Sequence, residues 1–220
     1  MIDHLKLTVL DDNEPGRGLL NEWGWCILVE SDKWSFLFDA DTDPKVLAYN
    51  AEALGVELKV DFAVLSHWHG DHYGGFRYIG ELNPRLKVYV PPGSSSTLRR
   101  WGLEPLEVTK PLEIEEDVWS SGPINNEQAI GIKTARGLVV IVGCSHPGVD
   151  VLTRKLVREV GCRAYVVIGG FHTPREERIE RLAEISDIIC PAHCSGRRTK
   201  EYVRKRHPRK YCEVRTGSSL

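Results

Sequence analysis

Apolar and polar residues in the first half of the chain alternate mostly with the two-residue period of β-strands. One stretch, 43–55, has helical spacing instead, and it ends at Gly55, a residue type that favours a helix C-terminus. The apolar run within 60–67 is continuous, which predicts a strand buried on both faces. The predicted strands of this half cover 4–10, 25–31, 34–40, 60–67 and 86–92.

The second half repeats this rhythm after a middle stretch whose Ser, Pro and Glu residues predict loops and edge strands. Thr173, with Pro174 and Glu176 behind it, has the pattern of a helix N-cap with a capping box. Two β-rich halves that each end in helices predict an α/β fold with paired sheets and helices on the outer faces. The elements are loops and edge strands over roughly 93–123, a hairpin over 128–143, strands over 164–170 and 187–191, helices over 151–161 and 173–185, and a basic helix from about residue 196.

Length and composition narrow the classes of protein. The 220 residues, 41% of them apolar and 27% charged, predict a single globular domain over 1–220. The formal net charge of -2 gives no global basic field of the kind that nucleic acid attracts. No stretch approaches the roughly 20 apolar residues that span a bilayer, and the first residues have no export pattern, so we expect a cytoplasmic protein.

The six cysteines have no paired C-x-x-C spacing, which argues against a structural zinc finger. In a chain of this length they are better interpreted as buried or site thiols than as a disulfide framework.

Six of the eight histidines lie at or just beyond the carboxyl end of an apolar strand. These strand ends have the sequences VLSH, VGCSH, IGGFH and CPAH. Side chains at such ends converge on one edge of a sheet even when they are distant in sequence. A structural role explains one such histidine well, but it explains six poorly.

The spacing within residues 67–72 indicates a metal site. His67 and His69 point to the same side of an extended chain, and Gly70 allows the turn that brings Asp71 and His72 toward the same space. Imidazole and carboxylate donors suit Zn²⁺ or a similar ion better than Ca²⁺ or Mg²⁺. There are more donors than one tetrahedral ion can use, so the sequence predicts two neighbouring metal ions.

The H-x-H-x-D-H run resembles the signature motif of the metallo-β-lactamase-fold superfamily. Further stretches, among them NEWGWCILVE, VVIGGFH, PAHCSG and TGSSL, resemble a branch of it that contains archaeal methanopterin-pathway synthases. The resemblance covers nearly the whole chain. It implies an αββα four-layer sandwich.

The resemblance also implies roles for single residues. His67 and His69 would bind metal 1, while Asp71, His72 and His193 would bind metal 2. Asp39, in LFDAD, would orient a ligand imidazole through its second ring nitrogen.

The chain departs from the usual hydrolase pattern in two places. Before the hairpin, where a histidine is usual, it has Asn125, Asn126 and Glu127. After the hairpin, where a bridging aspartate is usual, it has Cys144 and then His146. We take His146 as the third ligand of metal 1, and two readings of Cys144 stay open, a thiolate near the metals or a small packed residue.

Three further positions lie near the predicted site. His172 is either a packing residue or a contact to substrate or metal. Cys194 is expected to point away from the metal, because it follows His193 in an extended chain. Ser195, Arg197 and Arg198, near the start of the final helix, form a candidate anion site, and Ser218 and Ser219 would add hydroxyls if the chain end returns there.

We therefore predict a metal-dependent hydrolase with one or two Zn²⁺ ions, or with Mn²⁺ or Fe²⁺, acting on a small anionic substrate. Asp71 would orient the attacking water, and His172 would stabilise charge on the substrate. The alternatives are a transferase of the methanopterin-pathway kind and a non-hydrolytic metal-binding protein. Iron-redox relatives typically have glutamate where this chain has His69. The basic stretch 197–211 is typical of a solvated helix face, which disfavours a nucleic-acid substrate.

Overall fold

The computed structural model describes residue 2 and residues 4–220. It consists of two compact units. The first unit comprises residues 4–108 and 215–220, and the second comprises residues 109–214 together with residue 2. The prediction of a single domain over 1–220 stays a prediction.

The first unit contains one six-stranded sheet in the order β1-β2-β3-β4-β5-β6. The pairs β1/β2 and β2/β3 are antiparallel, and the remaining pairs are parallel. Parallel pairing places the carboxyl ends of β3 and β4 at the same edge. The strands are β1 (Leu5–Asp11), β2 (Cys26–Ser31), β3 (Ser35–Phe38), β4 (Phe62–Val64), β5 (Lys87–Val90) and β6 (Glu104–Glu107).

Four helices belong to this unit, and buried apolar side chains of α1, α3 and α4 pack against the sheet. The first helix begins after Asp43, whose side chain accepts the Lys45 N–H, and ends at Gly55 in the left-handed conformation, as the sequence predicts. The helices are α1 (Pro44–Leu54), α2 (Gly70–Tyr73), α3 (Phe76–Leu82) and α4 (Ser96–Arg100).

The second unit contains the other six-stranded sheet, in the order β12-β11-β10-β9-β8-β7. Here β10, β11 and β12 are parallel, and the other neighbours are antiparallel. The strands are β7 (Leu112–Glu115), β8 (Val118–Ser120), β9 (Ile130–Thr134), β10 (Gly137–Val142), β11 (Ala164–Gly170) and β12 (Ser186–Ala192).

Helices α5 (Val149–Val160), α6 (Glu176–Ile185) and α7 (Gly196–Arg206) pack their apolar sides on this sheet. The predicted capping box at Thr173 is wrong. Thr173 has a left-handed backbone with φ 43°, whereas an N-cap residue is extended, and α6 begins only after Arg175.

The predicted α/β class is confirmed, with one mixed sheet in each unit. The middle stretch 93–123 contains the edge strands β6 and β7, as predicted, and also helix α4 and the inner strand β8, which were not predicted. No helix in the described part of the chain is long and apolar enough to cross a membrane. The cytoplasmic location stays a prediction.

Residues 215–220 return to the first unit and extend its sheet beside β1. The N–H groups of Leu7 and Val9 donate to the carbonyls of Leu220 and Ser218 at 3.0 and 2.9 Å. Thr216 adds its hydroxyl, which lies 3.3 Å from a carboxylate oxygen of Asp11.

Asp11 and Asp41 form a buried carboxyl pair in this unit. Burial, and then the charge of Asp41, raise the pKa of Asp11 well above its ordinary value. Burial also raises the pKa of Asp41. Burial and the like charges of the two carboxyls favour a proton on one of them, and the raised pKa of Asp11 assigns the proton to that group.

This pair should make the protein less stable as the pH rises. The unfolded chain loses the Asp11 proton near pH 3.9, whereas the folded chain keeps it up to the raised pKa of Asp11. The free energy of unfolding therefore falls as the pH rises from the unfolded-state pKa to the folded-state pKa. In urea unfolding, Asp11→Asn should remove a decline on the order of 2 kcal/mol between about pH 5 and pH 8. Glu52→Gln, an exposed change, is the control. A decline of equal size in Asp11→Asn would contradict this prediction.

Candidate metal centre

The first cluster, which we call the histidine cluster, comprises His67, His69, Asp71 and His72 in the first unit. Asp39 lies just after β3 and anchors this cluster. Its carboxylate accepts the Ser66 N–H at 2.6 Å, the Ser66 hydroxyl at 2.7 Å and Nδ1 of His72 at 2.7 Å. The Ser66 hydroxyl in turn lies 2.9 Å from Nδ1 of His67. Asp39, Ser66, His67 and His72 are all buried.

This network assigns the protons on two imidazoles. An ionised Asp39 only accepts hydrogen bonds, so His72 donates from Nδ1 and the Ser66 hydroxyl donates its own proton. The Ser66 oxygen then accepts from Nδ1 of His67. Both rings therefore carry their proton on Nδ1, which leaves Nε2 as the nitrogen able to bind a metal.

The other members of the histidine cluster lie against these rings. The ring of His67 is 4.5 Å from that of His69 and 4.2 Å from that of His72, measured between centroids. Asp71 places Oδ2 3.6 Å from Nε2 of His72. The same oxygen accepts the indole N–H of the exposed Trp23 at 3.0 Å, a partner that sequence reasoning missed.

In the second unit, the parallel strands β10, β11 and β12 deliver the remaining candidate ligands from their adjacent carboxyl ends. Cys144 and His146 follow β10, His172 follows β11, and His193 follows β12. The rings of His146 and His172 are 4.5 Å apart between centroids. The strand-end pattern of the sequence thus brings these residues together as predicted within this unit.

Glu127, to which the sequence assigned no role, anchors His146. One carboxylate oxygen accepts the Ser145 N–H at 2.6 Å, and the other accepts both the N–H and Nδ1 of His146 at 2.8 Å. The buried carboxylate fixes the proton of His146 on Nδ1, so Nε2 is again the nitrogen that suits a metal.

Glu127→Gln should therefore weaken metal binding by about 10- to 100-fold, because an amide cannot accept all three hydrogen bonds. Competition with a chromogenic chelator measures the change. Glu115→Gln, an exposed carboxylate of β7, should leave the affinity unchanged. Equal affinity of Glu127→Gln and the wild type would rule out this anchoring role.

Cys194 does not lie as the sequence predicts. The strand ends at Ala192, and a 3-10 helix of His193–Ser195 begins with a left-handed φ of 45° at His193. The chain is therefore not extended, and the Cys194 thiol turns toward Cys144, its Sγ 3.7 Å from the Cys144 carbonyl oxygen. A hydrogen bond with the Cys144 side chain lowers the pKa of Cys194 to about 6, against the opposing effect of burial.

The residues of the candidate anion site make other contacts. The buried Ser195 hydroxyl accepts the Phe171 N–H at 3.0 Å. Arg197 and Arg198 are exposed and contact Glu201 and Glu176 at 2.7 and 3.2 Å. Their role in binding an anion stays a prediction.

The Ser218 hydroxyl accepts the Arg215 N–H at 3.0 Å beside β1. Its contribution, with Ser219, to the predicted anion site also stays a prediction.

The donor set fits a zinc-like metal in each unit taken by itself. His67 and His72, in the first unit, and His146, in the second, each present Nε2 from a ring fixed by a buried carboxylate, directly or through Ser66. This is the usual arrangement of metal-binding histidines.

The chain is similar to known proteins over most of its length. No family model matches the chain. A 7,8-dihydropterin-6-methyl-4-(β-D-ribofuranosyl)-aminobenzene-5'-phosphate synthase from Methanocaldococcus jannaschii is 24% identical, over 89% of this chain and 89% of the synthase. The expected resemblance to the methanopterin-pathway branch is thus confirmed.

Among solved structures, a metal-dependent hydrolase of the β-lactamase superfamily matches with a TM-score of 0.83 and 24% identity, covering 99% of this chain and 98% of its own. A diphosphatase of the PhnP family matches with a TM-score of 0.64 and 15% identity, covering 99% of this chain and 97% of its own. These matches confirm the predicted fold.

Proposed function

From the metallo-β-lactamase fold of this chain, we propose that the protein is a metal-dependent hydrolase of small anionic substrates. The observation that carries the proposal is the fixed orientation of three imidazoles by the buried carboxylates of Asp39 and Glu127. Histidines held in this way are typical of metal sites and unusual in simple packing roles.

The proposed ligands are the residues that the sequence singled out. They are His67, His69, Asp71 and His72 in the first unit and His146 and His193 in the second, which together supply enough donors for one or two ions. Zn²⁺ suits these donors, and Mn²⁺ or Fe²⁺ are the alternatives. Such an ion, when bound, makes hydroxide available near neutral pH and polarises the oxygen of a carbonyl or phosphoryl group.

The side chains would then orient the reactants and carry protons. Asp71 is suited to orient the attacking water and accept its proton, because the Trp23 indole holds its carboxylate in place. His172 is exposed beside His146 and would stabilise charge on the substrate. Arg197 and Arg198, near the start of α7, are the proposed contacts to a phosphate or carboxylate of the substrate.

The test combines elemental analysis of the purified protein with activity assays on phosphoesters, lactones and thioesters, before and after a chelator. We expect bound transition metal, hydrolysis of at least one class, and recovery on adding Zn²⁺, Mn²⁺ or Fe²⁺. A protein that retains none of these ions after loading would refute the metal site. Inhibition by phosphate that Arg197→Ala with Arg198→Ala does not change would refute the anion contacts alone.

A synthase is the second candidate, because the curated relative from M. jannaschii with that activity aligns along most of both chains. It would bond the amino nitrogen of a ribofuranosylaminobenzene 5'-phosphate to the 6-methylene carbon of a dihydropterin, displacing a leaving group from that carbon and releasing the amine proton, instead of transferring a group to water. Chromatography of such a mixture distinguishes the two. Coupled product without hydrolysis of either component alone would favour the synthase.

A further inference from the structure

A second group of donors lies within the second unit alone. We call Cys144, His172 and Cys194 the thiol cluster. Each is the second residue beyond the end of a strand, Cys144 after β10, His172 after β11 and Cys194 after β12. Because these three strands are parallel neighbours, the three positions come to the same edge of one sheet.

The two thiol sulfurs and a ring nitrogen of His172 all lie within 4.8 Å of one another. An ion with tetrahedral bonds of about 2.0 to 2.3 Å would hold such atoms about 3.5 to 4 Å apart. Side-chain rotations that move each ligand atom by less than about 1 Å are therefore sufficient to bring the three donors to one ion.

The surrounding backbone makes room for this arrangement. A Cβ atom at Gly170 would lie 2.7 Å from Sγ of Cys194 and 2.5 Å from the Gly143 carbonyl oxygen, so only glycine fits there. His172 and His193 have left-handed φ values of 50° and 45°, conformations that cost on the order of 1 kcal/mol or more for such residues. Together these features turn the Cys194 thiol inward and hold His172 at the edge.

Charge and exposure also fit a metal. The two thiols are buried, while His172 is exposed, which leaves one side open to solvent. Two thiolates and a neutral imidazole would balance the charge of a divalent ion and avoid a net charge in the interior. Two sulfurs favour Zn²⁺ or another thiophilic ion over Mg²⁺, Ca²⁺ or Mn²⁺.

We propose that Cys144, His172 and Cys194 form a binding site for a thiophilic divalent ion in the second unit, with its fourth position open to solvent or a small ligand. This site does not require the proposed hydrolase function, but it gives His172 the role of a metal ligand in place of the substrate contact proposed above. It assigns Cys144 and Cys194 as metal ligands in place of packed thiols.

Co²⁺ is the probe, because thiolate bound to Co²⁺ gives a charge-transfer band in the near ultraviolet, which imidazole and carboxylate ligands do not give. The reduced full-length protein should show this band on titration. Cys194→Ser and Cys144→Ser should each weaken it by about half or abolish it. Cys162→Ser, which removes a thiol elsewhere in the second unit, should leave it unchanged.

Two further variants make the test decisive. His67→Ala with His69→Ala should keep the band, because none of the three proposed donors belongs to the histidine cluster. His172→Gln, a change at an exposed side chain, should lower the Co²⁺ affinity measured by the band at least about tenfold. It provides a test even if a cysteine variant fails to fold.

The proposal would be overturned by a band that is absent from the wild type, or by one that Cys194→Ser leaves intact while Cys144→Ser removes it. The remaining alternative is a disulfide between Cys144 and Cys194, which mass spectrometry of the intact protein detects. A disulfide that persists when Co²⁺ and reductant are present would also overturn the proposal.

Discussion

Replacing His67 and His69 together by alanine should remove about one metal ion per chain and lower kcat/KM at least about 1000-fold. The loss of two imidazole donors would leave too few ligands for one of the proposed ions. A bound metal ion of this kind contributes several kcal/mol to the stabilisation of a transition state, and each 1.36 kcal/mol corresponds to a factor of ten in rate. Elemental analysis and the hydrolase assay measure the two effects on one sample.

The matched control is His4→Ala with His207→Ala, which removes two histidines outside both clusters. In the described part of the chain, the side chain of His207 hydrogen-bonds to the partly exposed Glu180. Losing this contact should cost little stability. The control should keep wild-type metal content and activity. Unchanged metal content in the His67 and His69 variant would show that the ligand assignment is wrong.

Asp39→Asn should lower metal affinity about 10- to 100-fold and destabilise the metal-free protein by about 1 to 3 kcal/mol. The carboxylate accepts three hydrogen bonds, two of them at one oxygen. An amide in its place must direct its NH₂ group at one of these donors, which leaves that donor unsatisfied in the interior. The proton of His72 then loses its fixed position on Nδ1.

The chain contains a closely matched control for this change. Asp61 accepts the N–H of Ser35 and lies 3.4 Å from its hydroxyl, as Asp39 accepts the N–H and the hydroxyl of Ser66. Unlike Asp39, Asp61 is exposed, and its described hydrogen bonds include none to a histidine. Asp61→Asn should therefore leave metal affinity unchanged. Metal titration of both variants, with thermal unfolding without metal, compares them. Equal losses in the two variants would refute the orienting role of Asp39.

The sequence predicts the sheets and the histidine cluster well because their signals are local. Period-two alternation marks the strands, and the spacing of His67 to His72 contains its own geometry. The role of Asp39 came from the resemblance, and the structure places it against His72 and Ser66.

The anchor of His146 could not be predicted in this way. Glu127 precedes His146 by 19 residues, and their contact depends on how the β9–β10 hairpin and the loop after β10 fold back. The signal that was available was an acidic residue where relatives of this fold usually have a ligand. Its effect on a histidine beyond the hairpin is a matter of tertiary structure.

Left-handed backbone accounts for two other errors. His172, Thr173 and His193 all have positive φ. Histidine is enriched in that conformation but still adopts it only rarely, and β-branched threonine adopts it more rarely still, so the sequence does not announce it. Because of it, α6 starts later than the capping pattern predicts, and the Cys194 thiol turns inward. Both departures lie at the edge of the sheet that carries the candidate ligands, where local rules are most often broken.

The pairing of residues 215–220 with β1 has a consequence for biosynthesis. A ribosome makes β1 early, but the segment that completes its edge is made only after the whole of residues 109–214. Until then the N–H groups of Leu7 and Val9 in a nascent chain lack the carbonyl groups to which they donate in the folded protein. The edge of the sheet is therefore open to pairing with other chains. Such long-range closure is slow compared with local folding. Synthesis stalled or truncated before residue 215 should therefore yield an aggregation-prone first unit, whereas the second unit, which is continuous apart from residue 2, can fold as it emerges.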